Sequence, residues 1–379
     1  MKVLVVGGTG ILSTAVVEEA INKGFSLTMI NRGRNSAMIN KKAELLVGDI
    51  NNTEQIETLL KNKHFDIVID FLVWGKEQLS RSLSLFSSIC DRYVFISSAQ
   101  AYNTSVEGIL SENSEMVQPL WEYSIHKFEA EQFLIDYCKN RKLKYTIIRP
   151  GVNYGDTRIP YGMYPAMGMH WTMIERIKSG KPIITWNNGL NKLNITHVDD
   201  FAKGVVGLLG NPNADNEVFN VVGDFVHTWK DVLTVVEKLT GYKVNTIDIP
   251  VTFYANELVG DTKESLLGGR SKDLVCSNEK LKKAVPGFCS DISLEEGVKR
   301  TLDFYQTHNY YRGFDYYYDG LCDYIIEKYC KTYGNKLVCS LRFINYGKKK
   351  GTALIADYLK YKKAFLKDSI LIKVINKLR

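Results

Sequence analysis

The sequence contains no C-x-x-C pair, no H-x-x-H or H-E-x-x-H spacing, and no long apolar run. A membrane-spanning helix needs about 18 uninterrupted apolar residues, and the N-terminal run VLVV reaches glycines too early to predict either a spanning helix or a signal peptide. The seven cysteines are odd in number and scattered through apolar segments. This pattern indicates reduced thiols in a cytoplasmic protein and argues against disulfides and against a metal site.

The positive charge of the chain is concentrated at its C-terminal end. The 379 residues carry a net charge of +7, but residues 311–379 alone contain 15 Lys or Arg and 6 Asp or Glu, a net of +9. Residues 1–310 are therefore close to neutral, at −2. The length favours two domains or one domain with lobes, and the composition is that of an ordinary globular protein. The basic character thus belongs to an appendage.

Short apolar segments alternate with segments of helical length along most of the chain. The predicted strands are KVLVV, SLTMI, ELLVG, DIVIDFLV, YVFISS, YTIIRP and FNVVG. Near-continuous apolar strands separated by helices predict an α/β fold with a Rossmann-type, doubly wound parallel sheet. We expect a nucleotide-binding domain at 1–150, completed by about 190–225, a smaller substrate lobe at 151–189 and 226–310, and a basic, mainly helical extension at 311–379.

The segment VVGGTGILS at residues 5–13 places a glycine-rich turn between a predicted strand and a predicted helix. Such a turn lets backbone N–H groups approach a pyrophosphate, and the helix N-terminus supplies partial positive charge. Ser13 stands where the pattern usually has its last glycine, a position that needs a small residue for close packing of the helix on the sheet. We therefore expect a dinucleotide to contact Gly7, Thr9, Gly10, Ile11 and Leu12.

The end of the second predicted strand bears on which dinucleotide is bound. NAD-binding versions of the fold usually carry an acidic residue there, whereas this chain has Asn31 and Arg32. An arginine suits the additional phosphate of NADP, so we expect NADP or NAD with NADP favoured; solvated surface arginines are the alternative. Asp49 and Ile50 follow another predicted strand, where Asp49 is placed to accept a hydrogen bond from the adenine amino group. The alternative for Asp49 is an ordinary turn or capping residue.

A Y-x-x-x-K pair lies on a predicted helix in the segment WEYSIHKFEAEQFL. The i,i+4 spacing puts the phenol of Tyr123 and the ammonium of Lys127 on one face, where the ammonium favours the phenolate and prepares Tyr123 to act as a general base. Ser98, at the end of the predicted strand in FISSAQAY, can hydrogen-bond the same reacting oxygen. The alternative is a serine in a turn, a half-buried tyrosine and a solvated lysine. The combination with a glycine cradle favours catalysis by Ser98, Tyr123 and Lys127.

The order of these motifs resembles the extended short-chain dehydrogenase/reductase family, and within it the sugar-nucleotide epimerase/dehydratase group. The matching segments, from residue 1 to about 310, are GGTGILS, GDI, FISSAQAY, YSIHK, RPGVNYG and THVDDFAKGV. The resemblance implies that Ser98 and Tyr123 handle the proton of a substrate hydroxyl and that Lys127 also holds the nicotinamide ribose. The GGTG-x-x-S and NRGR segments look closer to an atypical branch that includes chloroplast stem-loop RNA-binding proteins.

Several positions depart from the pattern of that family. Its 4,6-dehydratases carry an Asp-Glu pair where this chain has Ala99 and Gln100, so dehydration, which needs an acid and a base, is disfavoured. Val152 replaces an asparagine used near the substrate phosphates, and Leu193 replaces a frequent arginine. The residues expected to contact the substrate are Gln100, Tyr102, Asn153 and Arg158, with His170, Lys192 and Arg270 as further phosphate contacts or as solvated surface groups.

These observations predict an NAD(P)-dependent epimerase or reductase that transfers hydride at a carbinol carbon of a sugar, in particular a nucleotide-linked one. We expect a homodimer that contains no metal. The alternative is a nucleotide-sensing or RNA-binding protein that uses the same fold without turnover. His126 and His197 are interpreted as structural, the first packed or at the surface and the second at a helix start.

The segment 346–379 combines lysines with apolar residues at helical spacing, among them Leu371, Val374, Ile375 and Leu378. Three roles are open for it. The helix could dock on the body or on a second subunit, lie on an anionic membrane surface, or bring its lysines to nucleic acid. Docking is favoured, because most amphipathic helices face a protein core.

Overall fold

The computed structural model describes residues 1–34, 40–335 and 341–368, which form two compact units. The first unit comprises Met1–Tyr154, Lys192–His227 and Lys272–Ser293. The second unit comprises Gly155–Asn191, Thr228–Ser271 and the described residues from Leu294 onward. Residues 272–293, which the sequence placed in the substrate lobe, therefore lie in the first unit.

The described strands are short and lie between Lys2 and Asp248. In chain order they are β1 (Lys2–Val6), β2 (Ser26–Asn31), β3 (Glu44–Val47), β4 (Phe65–Asp70), β5 (Cys90–Ile96), β6 (Lys144–Pro150), β7 (Val152–Tyr154), β8 (Ile183–Thr185), β9 (Lys192–His197), β10 (Glu217–Val221), β11 (Val226–Thr228) and β12 (Thr246–Asp248).

Helices follow most of these strands. They are α1 (Ile11–Asn22), α2 (Thr53–Leu60), α3 (Lys76–Phe86), α4 (Glu122–Cys138), α5 (Trp171–Lys178), α6 (Val198–Leu208), α7 (Trp229–Thr240), α8 (Val251–Asn256), α9 (Gly260–Ser265), α10 (Glu279–Ala284), α11 (Leu294–Thr307), α12 (Tyr316–Tyr333) and α13 (Gly351–Lys363).

The central sheet of the first unit is parallel and has the strand order β10-β6-β5-β4-β1-β2-β3. In β1, Val5 pairs with Met29 of β2 on one side and with Ile69 of β4 on the other. The direction of strand succession reverses between β1 and β4. In open α/β sheets, ligands bind outside the carboxyl ends of the strands at such a reversal. The topology therefore places a candidate site where β1 and β4 end.

Apolar side chains cover both faces of this sheet. One cluster includes Val16 of α1, Phe201 of α6 and Leu281 of α10. The cluster on the opposite face includes Leu83 of α3 and Leu134 of α4. Burial of each such aliphatic or aromatic side chain contributes about 1.5–3 kcal/mol, so the two layers of helices hold the strand ends in fixed positions. The α/β fold with a doubly wound parallel sheet is confirmed.

The second unit is mainly helical. Strand β8 pairs in parallel with β12, α7 contacts α11, and α13 packs against α12. The last contact is so close that a Cβ atom on Gly320 of α12 would overlap the backbone carbonyl of Tyr361. The expected helical character of the C-terminal region is thus confirmed for α12 and α13. Leu371, Val374, Ile375 and Leu378 lie outside the described residues.

A buried charge cluster fastens the C-terminal helices within the second unit. Its charged members, all without exposed surface, are Arg176, Lys181, Asp319 and Asp323. The ammonium of Lys181 donates to Asp319 Oδ2 at 2.9 Å, and the hydroxyls of Tyr346 and Tyr361 donate to Asp319 Oδ1 at 3.0 Å and Asp323 Oδ2 at 2.8 Å. Buried charges are tolerated only when paired and hydrogen-bonded, so this arrangement requires Tyr346 and Tyr361 to stay in place.

Within the described ranges, no helix combines the length and the apolar composition needed to cross a membrane. Nor do His, Cys, Asp and Glu side chains of the described segments gather in a group of three or more that could hold a metal ion. The six cysteines in the described part of the chain are all free thiols, and Cys339 lies outside it.

Candidate active site

The glycine-rich turn lies between the end of β1 and the start of α1. Gly7 and Gly8 have φ values of +106° and +87°, a region that side chains with a Cβ atom rarely adopt. A Cβ atom on Gly8 would also overlap the side chain of Met29, and one on Gly7 would lie 3.3 Å from Leu72 Cδ2. Gly10 is the N-cap of α1, so Ile11 and Leu12 form its first turn, where N–H groups lack intrahelical acceptors. The turn therefore has the form of an anion cradle.

Ser13 replaces the expected glycine and acts as a cap for α1. Its Oγ accepts a hydrogen bond from the N–H of Gly10 at 2.9 Å and donates to the carbonyl of Gly10 at 3.2 Å. The side chain is only 2% exposed. Ser13 thus packs as closely as the motif requires while it fixes the backbone of Gly10.

A cavity of about 230 Å³ opens beside the cradle and is bounded by the ends of β2 and β3. Its lining includes Gly7, Thr9, Asn31, Arg32, Arg34, Asp49, Ile50 and Leu72. Asn31 holds the wall together, because its Nδ2 donates to the carbonyl of Gly7 at 3.2 Å and its Oδ1 accepts from the N–H of Gly33 at 2.8 Å. Arg32 is exposed at the rim. This is where the sequence predicted adenosine to bind.

Asp49 also lines this cavity. Its Oδ1 accepts hydrogen bonds from the backbone N–H and the side-chain amide of Asn51, at 3.0 and 3.1 Å. The N–H of Asn51 lowers the pKa of Asp49, and the charges of Arg32 and Arg34 lower it further. The carboxylate is therefore ionised. The N-cap of α2 is Asn52, so Asp49 is not its capping residue.

Lys127 is buried at the carboxyl edge of the sheet, with 5% of its surface exposed. Its ammonium donates to the carbonyl of Val73, just beyond β4, at 2.6 Å and to that of Ile96, the last residue of β5, at 3.0 Å. Burial lowers the pKa of Lys127 to about 8, against the opposing effect of the Asp70 and Glu131 carboxylates. The alternative of a solvated lysine is therefore wrong.

Tyr123 lies one helical turn before Lys127, between two tryptophans. Its ring centroid is 5.6 Å from that of Trp74, in an edge-on arrangement, and 5.1 Å from that of Trp121. The ammonium of Lys127 is 5.8 Å from the centre of the Tyr123 ring. Trp74 is 61% exposed, and its indole therefore forms an open wall beside the phenol. Sequence reasoning missed Trp74; the signal available was a large aromatic between a strand end and the glycine cap of α3.

The two serines that end β5 differ in their surroundings. Ser97 Oγ donates to the buried carboxylate of Glu131, which also pairs with Arg149. Ser98 Oγ accepts from the N–H of Gln100 at 3.1 Å and so caps the short helical turn at Ala99–Ala101. Because Ser97 is committed to the interior, Ser98 is the serine that suits a role at the site.

The expected substrate contacts in the first unit, Gln100, Tyr102 and Asn153, differ in how deeply they are buried. Gln100 is half-buried next to Ser98. Tyr102 has no exposed surface; its hydroxyl donates to Asn220 Oδ1 at 2.7 Å and accepts from Arg149 at 2.7 Å. This placement corrects the expectation of a substrate contact by Tyr102, because the phenol is enclosed by the core. Asn153 is also buried, and its amide donates to the carbonyl of Gly151 at 3.0 Å.

A second polar cluster lies within the second unit. Arg270 donates to the hydroxyl of Tyr164 at 3.2 Å, and the guanidinium carbons of Arg158 and Arg270 are 5.2 and 4.9 Å from the centre of the Tyr164 ring. Burial acts to raise the pKa of Tyr164, but Arg270 and Arg158 outweigh it and lower the pKa. The sequence suggested both arginines and missed Tyr164, since nothing in its local pattern distinguishes it from the many other tyrosines.

His170 stacks on Tyr164 with ring centroids 5.0 Å apart. Burial lowers the pKa of His170 to about 3, with Arg158 adding to the effect, so the imidazole is neutral. Its Nδ1 accepts from the N–H of Ile159 at 3.1 Å, and its buried Nε2 has no hydrogen-bond partner among the described residues. Arg158, Tyr164, His170 and Arg270 together, the arginine–tyrosine cluster, form a positively charged group of side chains suited to an anion.

The other two histidines singled out in the sequence are structural. His126 is exposed on α4. His197 Nδ1 accepts from the N–H of Asp199 at 3.2 Å and caps α6. The structural interpretation of both is confirmed.

Comparison with known proteins identifies the class of protein that this fold and site belong to. The model of the NAD dependent epimerase/dehydratase family matches residues 3–222, more than half of the chain. The chain therefore belongs to the NAD dependent epimerase/dehydratase family.

Two relatives and one solved structure show the range of the similarity. The chloroplast stem-loop binding protein of 41 kDa b of Arabidopsis thaliana is 25% identical over 319 residues, which cover 80% of this chain and 79% of that protein. A UDP-glucose 4-epimerase of Vibrio cholerae is 25% identical over 336 residues, which cover 81% of this chain and 97% of the enzyme. Among solved structures, UDP-glucuronic acid 4-epimerase from Bacillus cereus, in complex with UDP-glucuronic acid and NAD, matches with a TM-score of 0.65 at 21% identity, covering 81% of this chain and 99% of that one.

Proposed function

We propose that this chain is an epimerase of nucleotide-linked sugars that uses a bound nicotinamide dinucleotide. The observation that carries the proposal is the burial of Lys127 beside Tyr123, with its ammonium held by the carbonyls of Val73 and Ile96. Burying a lysine away from a paired carboxylate is costly, and a lysine with a purely structural role on a surface helix has no need of it. Family membership and the similarity to the Vibrio cholerae epimerase support the same function.

The chemistry follows from the properties of three side chains. Tyr123 takes the proton of a substrate hydroxyl as general base, Ser98 hydrogen-bonds the same oxygen, and the charge of Lys127 favours the phenolate. The dinucleotide, when bound, supplies a nicotinamide that accepts a hydride from the carbinol carbon and can return it. Return of hydride to the other face of the resulting ketone gives epimerisation. A reductase that exchanges its cofactor at every turnover is the second candidate, and 2'-dehydrokanamycin reductase of Streptomyces kanamyceticus is a relative at 20% identity.

The residues around the cradle suit a dinucleotide. The positive φ values of Gly7 and Gly8 let the turn approach a pyrophosphate that faces Thr9, Gly10, Ile11 and Leu12. We assign the adenine to the cavity beside Asp49 and Ile50. Arg32 at the rim suits a 2′-phosphate and favours NADP over NAD.

We propose that the arginine–tyrosine cluster, within the second unit, binds phosphate or another anion. Arg158 and Arg270 supply two fixed guanidinium groups, and guanidinium pairs bind phosphate oxygens with charge-assisted hydrogen bonds. The buried Nε2 of His170, which has no hydrogen-bond partner among the described residues, gives the cluster a further polar atom.

The proposal is tested by turnover of UDP-sugars with the purified full chain. Mixtures with UDP-glucose, UDP-glucuronic acid or UDP-N-acetylglucosamine are analysed for the 4-epimer by chromatography, with and without added NADPH. We expect conversion without added reductant, and Tyr123→Phe should lower it by about 10²–10⁴-fold. Tyr137→Phe on the same helix, where the hydroxyl contacts Ser87 Oγ at 3.0 Å, is the matched control and should retain activity. Equal activity of both variants would exclude Tyr123 as the base.

Native mass spectrometry of freshly purified protein separates epimerase from reductase. A retained dinucleotide supports the epimerase, because its cofactor ends each turnover in its starting redox state. Conversion only in the presence of consumed NADPH supports the reductase. The same spectrum gives the subunit count and so tests the proposed homodimer.

The stem-loop binding relative supports a second candidate function, in which the fold binds RNA without turnover. This function predicts retention of RNA that weakens steeply with added salt. It also predicts that Tyr123→Phe leaves every measured property unchanged. RNA binding together with inert UDP-sugars and an absent dinucleotide would favour it over the epimerase.

A further inference from the structure

Helix α13 has an apolar stripe on the side that faces away from the protein. Ile355 is 58% exposed, Leu359 is 60% exposed and Leu366, in the turn that continues the helix, is 50% exposed. The buried residues of the same segment, Asp357, Tyr361 and Ala364, fall on the opposite side of a helix with 3.6 residues per turn. A helix that only docks on a protein core has a polar outer face, so the stripe is not explained by packing on α12.

The charges around the stripe are mainly positive. Residues 341–368 contain 8 Lys or Arg and 2 Asp or Glu. The one acidic residue within α13, Asp357, is 2% exposed and pairs with Lys349 and Lys360, so the outward surface of the helix presents no carboxylate. Lys350 before the helix and Lys363 in its last turn are exposed. The next eleven residues, 369–379, add three basic residues and no acidic one to this end of the sequence.

We propose that α13 lies on the surface of an anionic phospholipid membrane, with Ile355, Leu359 and Leu366 in the boundary between headgroups and acyl chains. Amphipathic helices of this kind insert their apolar side about 5–10 Å and gain from lysines placed near anionic headgroups. The chain then attaches to one leaflet without crossing it.

The observations favour an anionic membrane over two other partners for this side of α13. A second copy of the chain would bring another set of lysines against the first, and like charges repel at close range. An RNA would satisfy the lysines but leave Ile355 and Leu359 in water. A membrane with anionic lipids accommodates both the apolar and the basic side chains.

Co-sedimentation of the full chain with vesicles tests the proposal. We expect partition onto vesicles of equal parts phosphatidylglycerol and phosphatidylcholine, weaker partition at high salt, and little onto phosphatidylcholine alone. Ile355→Glu combined with Leu359→Glu should lower partition by about tenfold or more. Val259→Glu, at a residue of the same unit that is 72% exposed, is the matched control and should partition like the wild type.

Two double variants that reverse the charge of lysines complete the test. Lys350→Glu with Lys363→Glu should lower partition by about fivefold or more for each lysine, whereas Lys61→Glu with Lys142→Glu, two exposed lysines of the first unit, should leave it unchanged. Unfolding midpoints equal to the wild type show that the variants are folded.

Three results would overturn the proposal. The first is absence of the full chain from anionic vesicles, and the second is equal partition of the stripe variant and the wild type. The third is a dimer that the stripe variant converts to a monomer, or retention on single-stranded RNA that only the lysine variants remove, in either case without vesicle binding.

Discussion

The ammonium of Lys127 donates a hydrogen bond of 2.6 Å to the backbone carbonyl of Val73. A second bond from the same ammonium reaches the carbonyl of Ile96, so one side chain of α4 joins the ends of two adjacent strands. This position holds a charge at 5% exposure, and burial lowers the pKa of Lys127 to about 8. The two hydrogen bonds therefore fix the position of the ammonium. Its charge changes with pH near 8, a range in which the protein can be studied.

The first prediction concerns stability and pH. The pKa of Lys127 is about 8 in the folded protein and 10.5 ordinarily, so between these values the unfolded chain binds more protons than the folded one. Stability contributed by this group therefore rises with pH across that window. We expect the free energy of unfolding of the wild type, relative to Lys127→Met, to increase by roughly 3 kcal/mol at most between about pH 7 and pH 10.5. Urea unfolding of both proteins at each pH measures this; a constant difference contradicts the lowered pKa.

The second prediction concerns activity and pH. The proposed role of Lys127 needs its positive charge, because only the ammonium favours the phenolate of Tyr123. The epimerisation rate should therefore fall as pH rises through about 8. Lys127→Arg should keep its charge throughout this range and shift the decline to higher pH. The pH dependence of kcat/KM of the wild type and the variant measures this. If kcat/KM declines at the same pH in both proteins, another group causes the fall.

The third prediction concerns the choice of dinucleotide. Arg32 is exposed at the rim of the cavity beside the cradle, and a hydrogen bond from a guanidinium to a phosphate contributes about 1.5–3 kcal/mol. Arg32→Ala should thus weaken NADP binding by about tenfold or more and leave NAD binding nearly unchanged. Isothermal titration with both cofactors measures this, with Arg81→Ala on α3 as control. A preference for NAD in the wild type would make Arg32 a solvated surface residue.

The sequence was most informative where one physical requirement dominates. Strands buried on both faces must be apolar throughout, so KVLVV and DIVIDFLV predicted the parallel sheet. The Tyr123 and Lys127 spacing predicted a shared helix face, but not that the lysine would be buried against two carbonyls. Such contacts depend on segments distant in sequence, and local spacing does not predict them.

The errors have the same origin. Tyr102 follows the FISS motif closely enough to suggest a substrate contact, yet Arg149 and Asn220, both more than forty residues away, enclose its hydroxyl. Tyr164 was missed because its significance lies in the two arginines around it. The role of each tyrosine depends on residues that are close in the fold but distant in sequence.

The fourth prediction concerns Ser13, the departure from the glycine motif. Ser13→Gly removes two hydrogen bonds to Gly10 and adds backbone freedom to the first turn of α1. We expect a loss of about 1–2 kcal/mol in the free energy of unfolding, with dinucleotide binding retained, because the glycine is the usual residue of the motif. Ser80→Gly, on the exposed side of α3, is the comparison for the cost of glycine in a helix. An equal loss in both variants would mean that the bonds to Gly10 add nothing to stability.

The last prediction concerns the arginine–tyrosine cluster and its proposed phosphate. Arg158→Ala removes one of the two charges that lower the pKa of Tyr164, so the phenol should titrate at higher pH in an ultraviolet difference titration against Tyr164→Phe. The same variant should weaken the binding of inorganic phosphate by about tenfold or more in isothermal titration, since a hydrogen bond from a charged group contributes about 1.5–3 kcal/mol. Arg300→Ala on α11 is the control, because that guanidinium pairs with Glu296 at the surface of the same unit. A shifted titration with unchanged phosphate binding would retain the electrostatics of the cluster but remove the phosphate from it.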